Sequence, residues 1–389
     1  MKNLGYKIPE DVVIEILSRL PVKTLLRFKC SCTTWFTIIG SHCFIQKHLN
    51  MALEDSNKAR LFIVHRSNKY EKFLTSFVND DELTLQTNLS FDTKHLGRIS
   101  CVIGPCHGLF CIYYERHNKL LLWNPATRET KDIPKSSIPL PSNENTAQYV
   151  GFGFDSNTRD YKVVKILIQF HRDRYSDYHV EVYTLSTNSW RKIEATISDF
   201  DLCSYMFPTY WNGTYYWWGQ TEEEYEDIIV CFDMCIQQFY RILLPTEVLP
   251  MLHGRNRYAN HCFTEYNGSL GVIFCFMGVT TSLCELWTMN GHGAKVSWTK
   301  QYYIGLFETR TMRPLMILKS KIILLTNENH DIIPYDHVTQ TMRAPLPDDA
   351  IIKIKFVDNK WWKLYRELSS HRRWKIISAN VSHCCVYVY

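Results

Sequence analysis

Along the first fifty residues the apolar positions recur at the spacing of an α-helix. Val12, Val13, Ile16, Leu17 and Leu20 fall on one helical face. Pro9-Glu10-Asp11 opens this segment: proline suits a first turn, whose N–H groups lack intrahelical partners, and two acids face the positive end of the helix dipole. Pro21 ends it. A second helix is predicted over Val22 to Lys29, burying Leu25, Leu26 and Phe28. A third follows Cys30-Ser31-Cys32 and carries Trp35, Phe36, Ile38 and Ile39. Gly40 stops it, and Ser41 is placed to cap a short fourth helix through Leu49. So few residues cannot bury this much apolar surface alone, so help from outside the segment is expected.

Residues 51–60 are polar and read as a connection, and beyond them the helical period disappears. A weak repeat replaces it: a turn, an apolar strand, a polar stretch, a strand with a central aromatic, and another turn. The strands read as first in each unit are Gly108–Tyr114, Tyr161–Phe170, Gly213–Trp218, Gly268–Phe276 and Lys321–Leu325. Their partners carry Trp123, Tyr183, Phe232, Trp287 and Tyr335, spaced 60, 49, 55 and 48 residues apart. That spacing suits a four-stranded blade of a β-propeller of the kelch size class, each aromatic packing between neighbouring blades. Asn212-Gly213 and Asn267-Gly268 supply the positive φ angles of tight hairpins. Residues 59–100 would form a first, degenerate blade, and Ile376–Tyr389 would pair with it to close the ring. A β-sandwich is the alternative. The expected fold is therefore α+β, a short helical module followed by a mostly antiparallel β domain, with boundaries at 1–50, 51–60 and 61–389.

Composition sharpens this reading. Aromatics make up 14% of the chain, a share that leans toward β structure. The net charge of +5 divides into +4 over residues 1–50, −5 over 51–352 and +6 over 353–389. A nucleic-acid binder would carry a denser basic footprint, so nucleic acid is not the expected partner. The N-terminus lacks a secretory h-region, and no apolar run approaches a membrane span. A cytoplasmic protein is expected, with the nucleus as the alternative, and its 14 cysteines are then expected to be reduced thiols.

The segment from Ile8 to Trp35, with Ile8-Pro9-Glu10-Asp11, Leu20-Pro21 and Cys30-Ser31-Cys32-Thr33-Thr34-Trp35 at their spacing, resembles an F-box. Ile8 stands where Leu is usual, and Thr33 where Lys is common. The resemblance implies docking onto the Skp-type adaptor of a ubiquitin ligase, and through it onto cullin and RING subunits. It implies that Ile8, Pro9, Ile16, Leu17, Leu20, Pro21, Leu25, Leu26, Phe28 and Trp35 meet the adaptor or support the residues that do. Ile103–Leu109, Trp123–Arg128, Gly151–Asp155, Asp160–Lys165 and Thr187–Trp190 resemble the F-box-associated domain of plant F-box proteins. Within that family the likeness is to S-locus F-box proteins of pollen, thought to direct ubiquitination of non-self style ribonucleases. Related receptors share the framework, so an unrelated plant substrate, or a scaffold outside the ligase, are the alternatives.

Catalytic motifs are missing: the sequence contains no Cys-x-x-Cys, His-Glu-x-x-His, Gly-x-Ser-x-Gly or Walker loop. A propeller enzyme would need convergent acids, histidine or a metal, and no motif supplies them. Cys231-x-x-x-Cys235 and Cys384-Cys385 read as buried or surface thiols rather than metal ligands, and in the adjacent pair strand alternation turns the two side chains opposite ways. Cys106-His107 reads as a hairpin approach rather than a nucleophile and base. A non-catalytic receptor without metal or cofactor is expected. Two charge clusters remain, each also readable as a solvated loop. Glu222, Glu223, Glu224, Glu226 and Asp227 form an acidic loop fit to steer a basic protein substrate. The tract Lys353–Lys375, with Trp361, Trp362, Tyr365 and Trp374, has no assigned partner.

Overall fold

The computed structural model describes residues 8–41, 43–45, 47–48, 51, 60–66, 71–77, 101–114, 117–137, 146–169, 177–194, 200–202, 208–221, 226–252, 258–293, 295–309, 312–318, 322–327, 331–345 and 386–388. Three helices open the chain: α1 (Glu10–Ser18), α2 (Val22–Lys29) and α3 (Thr33–Gly40). Pro9 and Pro21 occupy the positions just ahead of α1 and α2, with extended ψ angles of 143° and 145° that turn the chain into each helix. Cys32 precedes α3, and its Sγ accepts the Trp35 N–H at 3.4 Å, which gives the second cysteine of the Cys-x-Cys-x-x-Trp pattern a capping role. Residues 43–45 and 47–48 are helical again, and Ser41 Oγ accepts the Phe44 N–H at 3.3 Å, as expected of a cap.

Apart from a four-residue helix, Leu249–Leu252, the regular structure of the rest of the described chain is antiparallel β-sheet. A first pair, β1 (Arg60–Arg66) and β2 (Glu71–Phe77), begins at the last residue of the predicted connection. The first blade runs β3 (Cys101–Cys106), β4 (Leu109–Tyr114), β5 (Lys119–Asn124) and β6 (Glu129–Asp132). The second runs β7 (Thr146–Asp155), β8 (Asp160–Gln169), β9 (Asp177–Thr184) and β10 (Ser189–Ile193). In the third, β11 (Phe200–Leu202) and β12 (Thr209–Trp211) both pair with β13 (Thr214–Thr221), followed by β14 (Asp227–Asp233) and β15 (Phe239–Leu243). The fourth comprises β16 (Tyr258–Tyr266), β17 (Ser269–Met277), β18 (Ser282–His292) and β19 (Lys295–Phe307). The fifth comprises β20 (Arg313–Leu318), β21 (Ile322–Thr326), β22 (Ile332–Asp336) and β23 (Thr341–Met342). Last comes β24 (Val386–Val388), which pairs with β1, as expected of the segment that closes the ring, and lies against both β20 and β3. The molecule is a propeller rather than a sandwich.

One feature of the repeat is corrected. The strands read as first in each unit are second: an inner strand precedes each of them. β7 and β16 pair without a break, but the other inner strands are irregular, and β20 shifts register after Pro314. Gly104-Pro105 interrupts the pairing of β3 with β4, and the third blade fills its inner position with two three-residue pieces.

Packing between blades follows the aromatics. Trp123, Tyr183, Phe232, Trp287 and Tyr335 all lie on the third strand of their blades and are 5% exposed or less. Trp287 packs with Tyr216 and Trp218 of the third blade, and Tyr335 with Ile304 and Phe307 of the fourth. Gly151 and Gly153 let the third blade approach β7. A Cβ at Gly153 would lie 2.5 Å from the Tyr210 ring, and one at Gly151 2.8 Å from Trp217. Outer strands are stapled by indoles: Trp190 Nε1 donates to Pro134 O at 2.7 Å, and Trp298 Nε1 to Leu243 O at 2.8 Å.

The thiols depart from expectation at one place. Cys275 and Cys284 are direct cross-strand partners on β17 and β18, their Cα atoms 4.0 Å apart, and are joined as a disulfide. Adjacent antiparallel strands bring opposed residues this close, which the residue pattern alone does not reveal.

His261 on β16 is buried against the Trp218 ring, 3.4 Å between centroids, with neither ring nitrogen hydrogen-bonded among the described residues. Burial pushes its pKa down to about 3. The unfolded chain then takes up a proton near pH 6.5 that the folded chain refuses, so the stability this neutral ring allows is present above that pH and falls below it. The slope is about 1.4 kcal/mol per pH unit. Urea unfolding at pH 7.5, 6.0 and 5.0 should show His261→Phe losing less stability than the parent as pH falls; parallel slopes would contradict a neutral buried imidazole.

Candidate protein-docking surface

The helical module divides its apolar residues into two sets. Leu17, Leu25, Ile38, Ile39 and Phe44 form its core, with Leu20, Phe28 and Trp35 packed partly against them. Outside that core stand Ile8, Val12, Ile16, Leu26, Phe36 and Ile45, each more than a third exposed, and Ile16 reaches 53%. Val12 and Ile16, four residues apart, stack along one face of α1, and Ile8 lies just ahead of that helix. Pro9 and Pro21 are exposed beside this set.

Of the ten residues predicted for docking, Ile8, Pro9, Ile16, Pro21 and Leu26 are exposed, Leu20, Phe28 and Trp35 half-buried, and Leu17 and Leu25 buried. The last two hold the helices together. Val12, Phe36 and Ile45 belong to the exposed set and are not among the ten.

Polar contacts fix this surface in shape. Glu15 receives hydrogen bonds from Lys47 Nζ and Arg19 Nη2, and these hold its carboxyl well down, to about 2. His48 Nε2 lies 3.0 Å from Leu20 O. Phe28 and Trp35 pack with ring centroids 4.6 Å apart, and Lys29 Nζ sits 5.0 Å from the centre of the Phe36 ring.

The propeller offers two unlike ends. Because neighbouring strands run antiparallel, first-to-second and third-to-fourth turns share one end, while second-to-third turns and blade-to-blade connections share the other. The first end is built largely from two repeated turns. Asn124, Asp155, Asp233 and Asp336 each accept backbone N–H bonds from the residues two and three further on. The fifth residue of each turn, Arg128, Arg159, Gln237 or Gln340, adopts positive φ. His107-Gly108, Asn212-Gly213 and Asn267-Gly268 supply two-residue hairpins with both φ angles positive. The other end carries connections of unequal length.

The remaining sequence candidates sort accordingly. His107 is a hairpin residue beside Phe154 and Tyr161, and burial pushes the Cys106 thiol up, away from a nucleophilic thiolate. Among the described residues no group of three or more His, Cys, Asp and Glu is arranged to hold a metal ion. Nor is any described helix long and apolar enough to cross a membrane. Glu222, Glu223 and Glu224 lie outside the described residues, as does the basic tract 353–375 and the Cys384-Cys385 pair. Glu226 is half-buried at the loop end. Asp227 is corrected from loop anion to strand residue: it opens β14, and its Oδ1 accepts from Trp218 Nε1 at 3.0 Å and Gln220 Nε2 at 3.1 Å.

Comparison with known proteins matches both modules. The F-box domain matches residues 6–47, and the F-box associated beta propeller domain matches residues 48–343. The F-box/kelch-repeat protein At3g23880 of Arabidopsis thaliana is 30% identical over 82% of this chain and 85% of its own length. The F-box protein CPR1 of the same plant is 28% identical over 86% of this chain and 83% of its own. Among solved structures, the nidogen/laminin complex aligns over 76% of this chain and 95% of that one, at 11% identity and a TM-score of 0.41. The chain belongs to the family of F-box proteins that carry an F-box associated β-propeller domain.

Proposed function

We propose that the chain is the substrate-recognition subunit of an SCF ubiquitin ligase. The observation that carries this is the apolar surface on α1 and α2 that lies outside the helical core. Ile8, Val12, Ile16 and Leu26 remain in contact with water in the isolated chain, and covering them by a Skp-type adaptor would recover that burial. The adaptor links the chain to cullin and RING subunits, while the loop end of the propeller holds a protein substrate. The mechanism is proximity: captured lysines lie within reach of a ubiquitin carrier held by other subunits. No chemistry is asked of this chain, and the modules divide at 1–50, 51–60 and 61–389. The compartment proposed for this work is the cytoplasm, with the nucleus as the alternative.

The likeness to S-locus F-box proteins makes a non-self style ribonuclease the substrate we favour. The net −5 of residues 51–352, together with Glu222, Glu223, Glu224 and Glu226, fits a basic protein of that kind. Asp227 is excluded from that set by its bonds to Trp218 and Gln220.

Ile16→Asp with Leu26→Asp should abolish co-purification of the adaptor while leaving the thermal melt in place, because both side chains are exposed. Leu25→Ala should instead lower stability by about 2–5 kcal/mol, since it empties a core position. Adaptor binding by the double aspartate variant at parental affinity would contradict the docking assignment. Affinity capture from pollen extract supplied with style proteins should recover adaptor, cullin and a ribonuclease. Recovery of adaptor and cullin without any ribonuclease would leave the receptor reading in place and remove the substrate.

A further inference from the structure

At the loop end, a cavity of about 330 Å³ opens between the fourth and fifth blades. Its apolar wall is Met312, Ile333 and Met342, and its polar edge is Glu308, Thr309 and Asn327. Met312 and Ile333 are 1% and 8% exposed and form the floor, whereas Met342, at 48%, stands at the mouth. The volume lies at the small end of the range for ligand sites, about 300–1,000 Å³.

The walls are set in place by hydrogen bonds. Ser282 Oγ donates to Thr309 O at 2.7 Å and accepts the Met312 N–H at 3.4 Å, which pins the connection between β19 and β20. Asn327 is locked in the turn between β21 and β22: its Oδ1 accepts the Asp331 N–H at 2.9 Å and its Nδ2 donates to Asp331 Oδ2 at 3.1 Å. A cavity built this way needs little ordering before it binds.

The edge is acidic. Glu308 is exposed and makes no ion pair among the described residues, and Asp331 adds a second carboxylate in the adjoining turn. Arg313, which opens β20 directly after Met312, is half-buried. Two methionines give the wall adaptable, polarisable contacts that suit an unbranched or γ-branched aliphatic chain.

We propose that this cavity is a substrate anchor that takes one leucine or methionine side chain from an extended segment of the target protein, with lysine or arginine beside it. The assignment rests on the receptor reading above and deepens it: the cavity supplies the apolar contact, and Glu308 selects the flanking charge. It also places specificity on the loop end rather than on the end built from repeated turns.

The test is methyl NMR of the full-length chain labelled with 13C-methyl methionine. Its ten methionines give a small spectrum, in which Met312→Leu and Met342→Leu assign the two cavity signals. The probe is the capped peptide Gly-Lys-Leu-Arg-Gly at millimolar concentration. Controls replace its leucine by serine, or both its basic residues by glutamate. Saturable shifts at Met312 and Met342 with the leucine peptide, absent with serine and weakened by charge reversal, are expected. Glu308→Lys should weaken binding about two- to fivefold, the range of an exposed charge pair. Met342→Glu, at the exposed mouth, should block it while the other methyl signals stay in place. No shift at these two methyls, or equal shifts with the serine peptide, overturns the site even if adaptor binding is intact. Shifts at these methyls in a parent chain that itself fails to bind the adaptor would support the site and overturn the receptor reading.

Discussion

A β-sheet that is apolar on both faces cannot shield itself from water, and that constraint governs this molecule. β4, β14 and β17 each carry a run of five or more consecutive buried residues, so both faces of these central strands need cover. Neighbouring blades supply it, with Tyr183, Phe232, Trp287 and Tyr335 among the side chains in the shared clusters. Neighbour-to-neighbour burial leaves an open end unless the chain comes round on itself. The pairing of β24 with β1, set between β20 and β3, provides that closure. Gly151 and Gly153 serve the same need, since any side chain there would hold the second and third blades apart.

The helical module faces the same constraint and does not satisfy it. Its five-residue core fixes three short helices, and Ile8, Val12, Ile16 and Leu26 are left over. The propeller buries its surplus apolar surface within the chain, whereas the F-box presents its own to solvent. On this view the docking surface and the blade interfaces differ mainly in where the missing partner comes from. The two ends of the propeller differ in build: repeated turns closed by Asn124, Asp155, Asp233 and Asp336 form one, and connections of unequal length form the other, where the proposed function puts recognition.

Most of the helical module is legible in the sequence, because prolines, caps and a 3.6-residue period are local signals. What the period does not show is which apolar residues face inward: Leu25 and Leu26 are neighbours in sequence, yet one is core and the other surface. In the propeller, the turns and central aromatics announce themselves, since Asn-Gly hairpins and a recurring aromatic are also local. Some inner strands do not, because β3 is broken at Gly104-Pro105 and β11 and β12 share one position. Asp227 looks like part of an acidic loop until β13 brings Trp218 Nε1 to its carboxylate. The Cys275–Cys284 pairing and the anchor cavity both depend on which strands and connections end up adjacent, and no local pattern encodes that.

The account stands on two surfaces being separate: a helical one for the ligase and a loop-end one for the target. Hydrogen exchange of the full-length chain, alone and with its Skp-type adaptor, tests this most directly. Peptides covering residues 8–48 should gain protection on adaptor binding, while those covering 101–343 should exchange as before. Protection within the blades, or none in the helices, would contradict it.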